Sequence, residues 1–162
     1  LWGESLGKKQ KNSAFNVGLT PIGLTGPKDQ HSFLQLLADG TRNKSVTFIK
    51  LKEFNSQQSI PDIRLKELES LDLINNIKFS TLINLQEESI FESLSTSERI
   101  PLDEITIQKQ DEFSIGQLIY YYELLTSLIG DLLNIDTYNQ PGVESGKKIL
   151  IQKLKDQGIN ND

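Results

Sequence analysis

The sequence has no cysteine, no methionine and a single histidine, His31. Without cysteine there is neither a disulfide framework nor a thiolate zinc site, and one histidine excludes a multi-histidine metal centre. Cations are the minority charge: 17 Lys and Arg stand against 22 Asp and Glu, a formal net charge of −5 at pH 7. Nonspecific nucleic-acid binding needs a basic stripe that displaces counterions, so it is disfavoured. An anionic membrane surface is disfavoured for the same reason. No apolar run reaches the roughly 18 residues needed to span a bilayer. The sequence opens LWGESLGKKQ, without Met and without a charged-then-apolar leader. From this we expect no signal peptide, a start inside a longer polypeptide, and a cytoplasmic location.

What is present is a core of unusual kind. Val and Ala number 3 and 2, whereas Leu and Ile number 24 and 18, in a chain of 162 residues. Full burial of one large aliphatic side chain is worth roughly 1.5–3 kcal/mol, and the length suits one domain or part of a larger one. No internal repeat or low-complexity segment interrupts it. Glycine is concentrated early: five of the 11 glycines, with Pro21 and Pro27, fall in the first 30 residues. Such punctuation marks loops that approach a ligand or another backbone closely.

The pattern along the chain alternates between strand and helix. Thr25-Gly26-Pro27 predicts a helix start, with Thr25 or Gly26 as cap. Phe33, Leu34 and Leu37 then form an apolar stripe, and Gly40 is the stop. Ser45 to Leu51, SVTFIKL, is apolar on both alternating faces and predicts a strand covered on two sides, as in a parallel sheet. Residues 52–70 are polar, broken by Pro61, and predict a loop. Phe79, Leu82, Ile83, Gln86, Ile90 and Leu94 keep a helical period. Arg99 to Gln108 predicts one strand or two short extended pieces, divided at Asp103-Glu104. Ser114 and Gln117 have the spacing of a capping box. Behind them Ile115, Leu118, Ile119, Tyr122, Leu125, Ile129, Leu132 and Leu133 predict a central, mostly buried helix. A final helix has Pro141 in its first turn and Val143, Leu150 and Leu154 on its inner face, and the tail DQGINND is expected to fray. Strands separated by helices make the fold class α/β.

Three residues could carry chemistry. His31 falls in the first turn of the helix after TGPKDQ, where the helix dipole disfavours imidazolium and poises a neutral imidazole. A surface histidine fits the same position. Lys147 shares a helix face with Val143 and Leu150; its ammonium either snorkels to water or reaches a polar pocket. Lys148, turned about 100° away, is solvated. Glu4, between two glycines and near Lys8 and Lys9, is either a solvated carboxylate or a general base in a Gly-rich loop. The stretch is neither GxGxxG nor a Walker loop, so it adds nothing for nucleotide binding. The run Tyr120-Tyr121-Tyr122 is most simply helix packing.

Together these segments resemble the C-terminal part of the glucose-6-phosphate isomerases. Residues 130–147, GDLLNIDTYNQPGVESGK, resemble that family's C-terminal signature throughout: a small residue, an aliphatic pair, then aromatic-Asx-Gln-x-Gly-Val-Glu-x-x-Lys. WGESLGKK resembles its Glu-Ser-x-Gly-Lys loop, with Leu6 where Asn is frequent. GPKDQHSFLQLLADG resembles its Gln-His segment, and INLQEESIFESL and IGQLIYYYELLTSLIG resemble the intervening helices. Residues 52–70 match poorly.

The resemblance implies a sugar-isomerase domain, a three-layer α/β fold with a mostly parallel sheet flanked by helices and a long helical C-terminal part. Residues 1–162 would be the C-terminal portion of the second such domain. It implies an aldose–ketose isomerase interconverting glucose 6-phosphate and fructose 6-phosphate through an enediol, without metal or redox cofactor. Glu4 would be the base, His31 would assist ring opening, Lys147 would line the ring-opening side and Gln140 would contact substrate. The family's partners imply a homodimer with His31 contributed across the interface. Its Ser/Thr-rich phosphate loop and Gly-Gly-Arg segment have no counterpart here, so the chain alone is expected to be inactive. A non-catalytic sugar-phosphate sensor on the same fold is the rival reading; retention of Glu4, His31 and Lys147 favours the enzyme. A purely helical interaction module leaves the Gly-rich start and SVTFIKL unexplained.

Overall fold

A computed structural model describes residues 1–97 and 100–158. They form two compact units, one of residues 1–22 with the chain from Leu118 onward, the other Gly23–Gln117.

The second unit is built on a β-α-β motif. Strand β3 (Val46–Glu53) and strand β4 (Leu102–Lys109) pair in parallel, Val46 opposite Leu102 and Ile49 opposite Ile105. Helix α3 (Phe79–Thr96) connects them and packs on both, with helix α2 (Gly26–Asp39) behind it. Parallel strands need such a crossover. Phe48 meets Phe91 edge to face, ring centroids 5.5 Å apart, and Leu94 is fully buried. The α/β class, with a parallel sheet and flanking helices, stands as the sequence predicts.

Detail departs from expectation in instructive ways. β4 is continuous through Asp103-Glu104 because both polar residues find cross-strand partners: Thr47 Oγ1 donates to Asp103, and Glu104 meets Lys50. Arg99, the expected start of that strand, lies outside the described residues. The face of β3 that carries Ile49 is not covered among the described residues; Ile49 is 48% exposed. Between β3 and α3 the chain is irregular apart from a bridge between Ser59 and Lys78 and a 3₁₀ turn at Glu69–Ile74, as expected of a loop. α2 begins at Gly26 with Thr25 as cap, but the cap is reversed: Asp29 accepts the Thr25 amide.

The first unit brings the two ends of the sequence together. Helix α1 (Trp2–Leu6) leads into strand β1 (Lys8–Lys9), which pairs antiparallel with β2 (Asn16–Val17). Gly18 has φ +139, and a Cβ there would press on Gly7, so only glycine fits this close backbone crossing. Helix α4 (Glu112–Leu132), inside which the division between units falls, ends before helix α5 (Pro141–Asp156). Leu6 and Ile135 are the buried apolar residues here, with Ser5, Thr126 and Thr137 beside them in burial.

Three expectations are corrected. The cap of α4 is Asp111, whose carboxylate accepts the Ser114 amide, and not a Ser114–Gln117 box. That bond, with Lys109 close by, pulls the Asp111 pKa down to about 2. α4 is not mostly buried: only Thr126 and Gly130 are, and Leu124, Leu128 and Leu132 form an open apolar stripe. α5 buries nothing, and Val143, Leu150 and Leu154 are all exposed. Both helices have the predicted periodicity, but periodicity reports a face that can be covered, not the element that covers it. Of the tail expected to fray, residues 159–162 lie outside the described residues.

Candidate active site

Glu4 and Gln140, from opposite ends of the sequence, line one cavity of about 540 Å³ in the first unit. Its walls come from α1, the β1–β2 ribbon and the start of α5, with Lys8, Lys9 and Asn16 among the polar side chains. Glu4 is exposed at this cavity, in the five-residue helix α1, whose next two residues, Ser5 and Leu6, are buried and fix it.

Gln140 is the N-cap residue of α5, with Pro141 following in the first turn. Its carbonyl accepts the Val143 and Glu144 amides. The turn before it is tightly made. Asp136 accepts the Tyr138 amide at 3.2 Å and the Asn139 side chain at 2.5 Å. Gly130 opens the segment because Thr137 packs directly on its Cα, leaving no room for a side chain.

The turn is also clipped to the α1–β1 segment. The Lys8 ammonium donates to the Asp136 carbonyl at 2.6 Å and to the Thr137 carbonyl at 3.0 Å. Gln10 donates to the Leu133 carbonyl, and the Lys11 amide to the Asn134 carbonyl at 2.7 Å. Sequence reasoning did not single out Lys8 for a role; the signal available was its place in the WGESLGKK match.

Lys147 lies further along α5 and is not among the residues lining the cavity. Its ammonium pairs with Glu144 at 2.7 Å, and that hydrogen bond holds its pKa above the ordinary lysine value. It does share a face with Val143 and Leu150, but the face is solvent-exposed rather than inward.

His31 belongs to the second unit. It is the sixth residue of α2, and so in the second helical turn rather than the first, and it is exposed. Thus the structure brings Glu4 and Gln140 to one cavity, sets Lys147 beyond it on α5, and carries His31 on a separate unit.

The second unit has its own cavity, of about 380 Å³, lined by Lys52, Lys78, Ser80 and Thr81 among others. It holds none of the predicted site residues. Also unforeseen is an ionic cluster between sheet and helix. Lys50 Nζ lies 3.0 Å from Glu104, 3.5 Å from Glu87 and 3.9 Å from Glu88. Burial pushes the Glu87 pKa up, whereas hydrogen bonds from Thr106 and Lys50 pull that of Glu104 down. Among the described residues no group of three or more His, Cys, Asp or Glu could hold a metal ion, and no helix is long and apolar enough to cross a membrane.

Comparison with known proteins agrees with the sequence signature. The family model for phosphoglucose isomerase matches residues 2–161. A glucose-6-phosphate isomerase from Campylobacter jejuni is 49% identical over 150 residues, 93% of this chain and 36% of the relative. One from Methanocaldococcus jannaschii is 36% identical over 155 residues, 96% of this chain and again 36% of the relative. A crystal structure of a hypothetical protein from Thermus thermophilus superposes with a TM-score of 0.84 at 25% identity, covering 94% of this chain and 36% of that one. The chain therefore spans about a third of the length of these relatives. By family model and by relatives alike, this chain belongs to the phosphoglucose isomerase family.

Proposed function

We propose that this chain supplies part of the active site of an aldose–ketose isomerase that exchanges glucose 6-phosphate and fructose 6-phosphate, as the C-terminal portion of the second sugar-isomerase domain of a longer enzyme. The observation that carries this reading is the meeting of Glu4 and Gln140 at one cavity, each within a segment that matches the family's pattern.

The chemistry follows from what the exchange requires. An enediol forms when a base removes the proton from C2, and it becomes the ketose when the same base returns that proton to C1, so a single carboxylate must reach two adjacent carbons. Glu4 fills that role: it stands on a short helix anchored by buried neighbours, open to the cavity. Gln140 holds sugar hydroxyls from the facing wall. Ring opening needs a separate proton donor and acceptor at the ring oxygen, and His31 and Lys147 take those parts. We assign His31 to the neighbouring subunit's site in a homodimer, which accords with its exposed position on α2. The reaction requires no metal or redox cofactor, and we place the enzyme in the cytoplasm.

A complementation experiment tests the reading. The chain is mixed with the part of the Campylobacter jejuni relative outside the matched region, and glucose 6-phosphate is supplied in D₂O. Isomerisation with deuterium incorporated at the exchanging carbon is expected from the pair and from neither piece alone. Turnover by the 162-residue chain alone, free of host enzyme, would show that it needs no further segment. A verified complex of the two pieces that exchanges no hydrogen would overturn the assignment of Glu4.

A further inference from the structure

Glu4 and Gln140 belong to elements at opposite ends of the sequence, and something must fix the distance between them. Gln10 and Lys11 tie the β1 segment to Leu133 and Asn134, and one side chain reaches further along, toward Gln140. Lys8, two residues after the end of α1, lines the same cavity and crosses to the turn ahead of Gln140. Its ammonium donates to both the Asp136 and Thr137 carbonyls. Neither carbonyl acts as acceptor in any other backbone bond of that turn, so the ammonium satisfies groups that a chain reversal otherwise leaves to water. Charge-assisted bonds of this kind are the strong ones. The carbonyls are held from within as well: Thr137 is buried on Gly130, and Asp136 ties Tyr138 and Asn139.

We propose that Lys8 is the positioning residue of the cavity: by capping these two carbonyls it sets the turn that presents Gln140 opposite Glu4. It touches no reacting atom. An anchor that merely stabilised the fold would have no preferred partner in the site, whereas Lys8 acts on carbonyls four and three residues before Gln140. The proposal rests on the functional reading only for the identity of the ligand.

The test uses the complete chain in solution, labelled for NMR, with Lys8→Met and Lys8→Arg. Arginine can donate to both carbonyls; methionine keeps the stem and loses the donors. In Lys8→Met we expect the Gln140 side-chain amide and the Thr137 and Tyr138 amides to shift, while the Phe48–Phe91 contact in the other unit keeps its signals. The affinity for fructose 6-phosphate should fall about tenfold, and Lys8→Arg should restore both readouts. If a folded Lys8→Met leaves the Gln140 amide where it was, the proposal is wrong. Should Lys8→Met not fold, Lys8→Gln, too short to span both carbonyls, is read in the same way. If the unsubstituted chain alone binds no fructose 6-phosphate, the affinity is read in its complex with the complementing piece, whose failure to bind would count against the functional reading, while the Gln140 amide still decides the part played by Lys8.

Discussion

Thr137 packs so closely on Gly130 that the Cβ of any other residue there would overlap its hydroxyl and its methyl. The small residue opening the Gly130–Lys147 signature is thus a packing requirement: α4 must let the returning turn lie on its last helical turns. Gly130→Ala should force Thr137 outward and carry Asp136 away from Lys8. Overpacking of this kind typically costs about 1–3 kcal/mol. Urea unfolding measures it, and the Tyr138 amide should move in the folded variant. An unchanged midpoint would show that the turn can yield without loss.

Glu4→Gln keeps shape and removes the base. In the complemented enzyme we expect substrate affinity to be retained and kcat to fall by about 10²–10⁴-fold or more, the usual contribution of general acid–base catalysis. Exchange of the C2 hydrogen with solvent should fall in step. Near-normal exchange in the variant would assign the proton transfer elsewhere.

His31 on one unit and Glu4 on the other suggest a mixing experiment. Full-length copies carrying Glu4→Gln and copies carrying His31→Ala are each expected to be inactive as homodimers. Refolded together, each heterodimer would have one site with both groups intact, and about half of one dimer's activity should return to that species. Verified heterodimers without activity would confine His31 to its own subunit.

The ionic cluster at Lys50 predicts a pH dependence. Glu87 has both carboxyl oxygens buried and without a hydrogen-bond partner, and burial raises its pKa in the folded state. The folded protein therefore holds this proton more tightly than the unfolded one. Its favourable contribution is complete at low pH and is lost as pH rises from the ordinary glutamate range through the raised value. Glu104, lowered by Thr106 and Lys50, acts in the opposite sense and loses its contribution as pH falls below the ordinary range. Glu87→Gln should remove the first effect, so that its Tm gains on the parent protein as pH rises above the ordinary glutamate range. A Tm difference that stays constant as pH rises would show that burial does not raise the Glu87 pKa.

How far the sequence could be read depended on whether the signal was local. The Gly26-Pro27 start of α2, the β character of Val46–Leu51, and Pro141 in the first turn of α5 were legible because each is written locally. So was the family, through its C-terminal signature. Relations between distant residues were not. Nothing local says that Lys8 caps the carbonyls of Asp136 and Thr137, or that strand register sets Lys50 among Glu87, Glu88 and Glu104. The burial forecasts for α4 and α5 failed for a related reason: an apolar stripe is an offer of contact, and residues such as Leu128 and Leu150 find no taker among the described residues.

Among the described residues β3 and β4 pair only with each other, so each keeps one edge without a partner strand. An open edge of this length is a template for any extended chain, and Ile49 adds an exposed apolar face beside it. The charges of Lys52, Glu53 and Lys109 at the strand ends are the local deterrent. In practical terms this makes solubility a matter of concentration and salt. Screening those charges removes the deterrent while leaving the edge intact, so a high-salt column would promote the strand-to-strand association that a dilute, low-salt buffer holds back.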